Sequence, residues 1–121
     1  MAKSPRGFKS FTAPPIPFLL PVGGVLLISG DRHGARGFRI PQPSGFEFYE
    51  FEAASLGGRE GPSVTRPEWT TQLYGFENTY AFGEFTIDAT LQDPRVTMRL
   101  IRDDGQVIYE KTLHCSELTP K

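Results

Sequence analysis

The run Gly24-Val25-Leu26-Leu27-Ile28-Ser29 is apolar without alternation, and it stops abruptly in Gly30-Asp31-Arg32-His33-Gly34. Six residues are too few for a helix to bury and far too few to span a bilayer. A continuous apolar run of this length reads instead as a strand covered on both faces, often a parallel one. Such a strand needs other layers around it, which commits the chain to a sheet-based fold. The glycines at Gly30 and Gly34 then permit a tight exit loop. In open α/β sheets, ligands gather at loops of this kind, beyond the C-terminal ends of parallel strands.

Residues 1–22 differ in composition. They contain Pro5, Pro14, Pro15, Pro17 and Pro21, and proline removes a backbone donor while restricting the residue before it. Lys3, Arg6 and Lys9 make the first 21 residues +3 with no acid, whereas the remaining hundred carry 10 basic and 14 acidic side chains. This stretch reads as an extended, poorly ordered segment foreign to the domain of residues 23–121, from an altered start or a frameshift. Pro17 and Pro21 interrupt the apolar stretch from Ile16 to Ile28. No small-x-small cleavage site follows it, so neither a secretory signal nor a membrane span is expected, and no localisation follows.

With 121 residues, 38% of them hydrophobic, the chain suits one small domain with a modest core. Its net charge of −1 provides no field for nucleic acid, and its single cysteine, Cys115, excludes an internal disulfide and a cysteine zinc cluster.

Gly34, Gly37, Pro41, Pro43 and Gly45 predict a loop region. Phe46–Glu52 alternates aromatics with acids and predicts a half-buried strand whose Glu47, Glu50 and Glu52 face solvent. Residues 53–78, rich in glycine and proline, predict a long irregular connection holding Ser55 and Trp69. Asn78 reads as a turn former. Tyr80–Leu91 predicts a strand with Phe85, Ile87, Ala89 and Leu91 on one face, and Val96, Met98 and Leu100 alternate with Arg95, Thr97 and Arg99. Asp104-Gly105 predicts a two-residue hairpin with positive φ at both positions, and Val107–Leu113 the return strand. No helix is expected.

In an extended tip, Asp31 and His33 project to the same side. A carboxylate and an imidazole together suit zinc, iron or manganese, and Arg32 and Arg36 suit phosphate oxygens. The same residues also fit a plain turn, with Asp31 as its cap and His33 on the surface. Two ligands fall short of the three or four that zinc sites use. His114, at the end of the last strand, is expected to be exposed.

VLLISGDRHGARGF resembles the last metal-site motif of the PhoD-like alkaline phosphatases, a branch of the calcineurin-like metallophosphoesterases, in which a hydrophobic strand ends in G-D-x-H. FYEFEAASLGG is similar to that family's following strand and Ser-containing turn. The segment ENTYAFGEFTIDATLQDPRVTMRLIRDDGQVIYEKTL is similar to its closing strands and hairpin. The resemblance covers residues 23–120. It implies the C-terminal portion of a metallophosphoesterase-type β-sandwich: a β-rich α/β fragment, one buried strand ending in GDRH, then mainly antiparallel strands.

By position, the resemblance makes His33 a metal ligand and Asp31 a ligand or a contact to the water or phosphate at the metals. It implies phosphomonoester or phosphodiester substrates, and iron with calcium or other divalent metals as cofactors. These activate a hydroxide and neutralise phosphate charge. Family members are often exported. The family's earlier ligand motifs are absent, and residues 1–22 offer no Asp, Glu, His, Asn or Cys in their place. The expectation is therefore an incomplete phosphoesterase, weakly active or inactive alone, that self-associates through an exposed strand. The alternative is a small non-enzymatic β-rich interaction or structural module.

Overall fold

The computed structural model describes residues 24–30, 32–43, 45–61 and 71–121. Expectations about residues 1–22, Asp31 and Trp69 lie outside them. Among the described residues, seven strands form two sheets. β1 (Leu27–Ser29), β2 (Ala35–Pro41), β3 (Glu47–Glu52) and β4 (Gln72–Phe76) make a four-stranded sheet in the order β1-β3-β2-β4. β5 (Ala81–Asp88), β6 (Arg95–Arg102) and β7 (Val107–His114) make a three-stranded antiparallel sheet, and the 3₁₀ turn Cys115–Leu118 follows. The expectation of a β-rich, mainly antiparallel chain holds. No helix among the described residues is long and apolar enough to cross a membrane.

Alternation places the core between the sheets. On β6, Val96, Met98 and Leu100 point inward and are buried. They join Leu113 of β7, Ala81 of β5 and, from the larger sheet, Ala35, Tyr49, Phe51 and Tyr74. The ring of Phe51 meets Phe85 edge-on at 6.0 Å, and Tyr74 lies 4.4 Å from Tyr109. The outer face of the smaller sheet is polar, with Thr97 hydrogen-bonded to Thr112 and Arg99 bridging Glu84 and Glu110.

Several expectations are corrected. β1 is parallel to β3, as its apolar run implies, but it is a short edge strand rather than one covered on both faces. Leu27 is 41% exposed and Ile28 68%. Ile28 aligns with Phe51, whose ring Phe85 covers. Four strands oppose three, so β1 overhangs the smaller sheet.

The supposed loop from Gly34 to Gly45 contains β2, an inner strand of its sheet. Gly37 is no breaker there: a Cβ at this position would collide with the Tyr74 ring, so only glycine lets that ring lie against the strand. The connection over residues 53–78 likewise contains β4. β5 ends at Asp88, and Ile87 is 72% exposed beyond the reach of the core.

The hairpin at Asp104-Gly105 closes with Gly105 N–H donating to Arg102 O at 2.9 Å and Arg102 N–H to Gln106 O at 2.9 Å. Only Gly105 has positive φ, +84°. This is a three-residue connection, a turn followed by a left-handed glycine, rather than the two-residue form.

Candidate functional site

The link from β1 to β2 is short for what it spans. β3 lies between those two strands, so the ends of β1 and β2 that the link joins stand two strand spacings apart, about 10 Å, at the C-terminal end of β3. His33 absorbs the bend with φ +63°, a left-handed conformation uncommon outside glycine. Its ring is exposed, and Nδ1 lies 2.8 Å from the carbonyl oxygen of Arg59. A carbonyl only accepts, so Nδ1 carries the proton and donates it. The neutral ring then has a bare lone pair on Nε2. That nitrogen has no hydrogen-bond partner among the described residues.

The segment Ser55–Gly61 holds this bend like a strap. Gly61 N–H donates to His33 O at 3.1 Å, and Asn78 N–H donates to Gly61 O at 3.4 Å. Tyr80 donates its hydroxyl to Gly58 O at 2.8 Å, and Ala81 N–H donates to Ser55 O at 3.1 Å. The strap thus joins the β1–β2 crossing to the start of β5. Ser55 donates its hydroxyl to Gly57 O and accepts from Gly57 N–H, so it is a turn residue, and Asn78, at φ +51°, is another.

Of the sequence-predicted site residues, His33, Arg32 and Arg36 border two neighbouring clefts that share Ser29 and Gly30. His33 borders one of about 230 Å³, with Ala53, Ala54 and Ser55. Arg32 and Arg36 border the other, about 300 Å³, with Phe38, Glu50 and Glu52. Arg32 is exposed and has no ion-pair partner among the described residues. Arg36 is buried, and its Nε and Nη2 both reach Glu52 Oε2, at 3.0 and 2.9 Å. Glu52, read from the sequence as solvated, is only 5% exposed. Glu47 is corrected as well, for it stands half-buried on the Tyr49 side of β3 and pairs with Arg39 at 3.0 Å.

His114 is exposed, as expected, with Nδ1 3.8 Å from Asp93. Among the described residues no three His, Cys, Asp or Glu side chains come together as a metal group. Of the ligands expected from the sequence, the described residues include His33, whose Nδ1 is anchored to Arg59 O while Nε2 is open. Sequence reasoning missed Arg59, which acts through its carbonyl and so has no side-chain signature. It also missed Gly61, whose only signal was the glycine-rich text around it.

The fold and the clefts together define a small two-sheet β protein with a histidine presented at the mouth of a parallel edge strand. Comparison with family models, with curated proteins and with solved structures finds no match.

Proposed function

We propose that this chain supplies the closing strands and the last ligand segment of a PhoD-like metal-dependent phosphatase or phosphodiesterase. One observation carries the reading: His33 sits at the exit of a strand parallel to its neighbour, in left-handed backbone, with Nδ1 anchored and Nε2 open. A surface turn has no need to hold a histidine in a strained conformation and orient its ring. In this reading His33 Nε2 holds the metal and Asp31 assists it. Arg32 meets the phosphate, with Arg36 deeper in the same cleft and partly neutralised by Glu52. The metal, iron with calcium or another divalent ion, would polarise the phosphate ester and activate water. The remaining ligands must come from residues other than those described.

The test is a thermal melt with and without manganese, zinc, iron or calcium, beside an assay with a chromogenic phosphodiester. A ligand at its Kd adds RT ln 2, about 0.4 kcal/mol, and so about 2 °C for a domain of this size. The expected result is a shift of that order in the wild type, none in His33→Ala, and hydrolysis near background for the chain alone. A shift that survives His33→Ala would sink the reading. A second reading, a non-enzymatic interaction module, is favoured by the exposed Leu27 and Ile28 on β1. It expects a bound partner strand and no metal shift that depends on His33.

A further inference from the structure

The crossing at His33 is steeply constrained. A Cβ built on Gly61 would lie 2.5 Å from Arg32 O, 2.6 Å from His33 Cβ and 2.8 Å from His33 C. Two of these atoms are backbone, so the crossing itself would have to move. Gly61 is not at positive φ, so glycine is required there by space rather than by conformation. Two residues earlier, the Arg59 carbonyl oxygen accepts the hydrogen bond from His33 Nδ1–H. Contact and hydrogen bond thus come from one short segment, which is itself tied to Asn78 and Tyr80.

We propose that the Arg59–Gly61 segment is a positioning device that holds His33 as its Nδ1–H tautomer, with Nε2 as the open lone pair, and that Gly61 is the residue on which this depends. The consequence for chemistry rests on the metal reading above, but the tautomer does not. Free histidine side chains favour the proton on Nε2, which would block that nitrogen as a ligand. The carbonyl of Arg59 reverses the preference, and the close approach at Gly61 keeps the carbonyl in reach. Ligand-orienting partners of this type change metal affinity by about 10- to 100-fold when removed.

Long-range ¹H–¹⁵N correlation on the labelled full chain, at alkaline pH where imidazole is neutral, reads the tautomer directly. The wild type is expected to show His33 protonated at Nδ1, reverting to the Nε2–H form in urea. Gly61→Ala should shift His33 toward the Nε2–H form in the folded protein and weaken zinc binding on the order of tenfold. Gly57→Ala, in the same segment but with nothing within 4 Å of the added carbon, should match the wild type. Arg59→Ala should match it too, because the carbonyl remains. An Nε2–H signal in the folded wild type overturns the proposal, and that measurement decides even if Gly61→Ala fails to fold. A Gly61→Ala protein that keeps the Nδ1–H form overturns it as well. Zinc that leaves the His33 Nε2 signal unmoved in a wild type with the Nδ1–H form supports the positioning device and sinks the metal reading alone.

Discussion

Arg36 and Glu52 face each other across β2 and β3, and both are buried. Two guanidinium nitrogens converge on one carboxylate oxygen. Desolvating both charges costs nearly as much as their attraction returns, so the pair adds little net stability, whereas removing one member strands the other charge. Glu52→Ala should therefore lower stability by about 3–5 kcal/mol, read from the urea midpoint. The double replacement Arg36→Met with Glu52→Leu should recover most of that loss. A single variant within about 1 kcal/mol of the wild type would show that water reaches the pair. This residue was misread in the sequence for a definite reason. The alternation of aromatics and acids changes phase at Phe48-Tyr49, so Glu47 shares a face with Tyr49 and Phe51 while Glu50 and Glu52 share the other. Whether that second face is wet depends on the neighbouring strand.

At the scale of elements, the C-terminal 3₁₀ turn is pinned to the turn between β5 and β6. Asp93 accepts from the Ser116 hydroxyl at 2.6 Å and from its N–H at 3.0 Å, and Cys115 N–H donates to Pro94 O at 2.7 Å. These contacts bring Leu118 into the core. The Ser116 hydrogen bonds, with a smaller contribution from His114, hold the Asp93 carboxyl below its ordinary range. A depressed carboxyl stabilises the fold fully above the unfolded-state value and loses that contribution as pH falls through the folded-state value. Between about pH 5 and pH 2, unfolding free energy should fall more steeply in the wild type than in Ser116→Ala, as followed by urea titrations at stepped pH. Equal slopes would remove Asp93 from the acid response. The β6–β7 hairpin above this turn was legible because β6 alternates strictly and Gly105 marks the reversal. Its turn type was not, because the register shift between Leu100 and Ile101 is a property of the pair.

For the whole molecule, the mismatch of four strands against three leaves β1 as an overhanging edge. Ile28 and Leu27 are exposed on a strand whose outer backbone edge pairs with no other strand among the described residues. Such an edge invites pairing with another chain. The isolated protein should associate reversibly, and Ile28→Lys should suppress association while changing stability by no more than about 0.5 kcal/mol, the usual scale for an exposed site. Sedimentation velocity over a concentration series checks this. A wild type that stays monomeric throughout would overturn the reading of β1 as a pairing edge.

Features carried by local pattern could be read in advance. Strict alternation marked β6, a run of aromatics and acids marked β3, a glycine after an acid marked the hairpin, and an unbroken apolar run marked β1. These signals depend on side-chain period and backbone preference, which neighbours in sequence determine. Only the tertiary structure decided that Gly37 and Pro41 belong to a strand, since Tyr74, 37 residues beyond Gly37, provides the reason for a glycine there. It also decided that Glu52 is buried and that His33 is clamped by a carbonyl 26 residues away. Pairing partners, layer coverage and backbone-mediated contacts join residues remote in the chain, and a backbone carbonyl has no letter in the sequence.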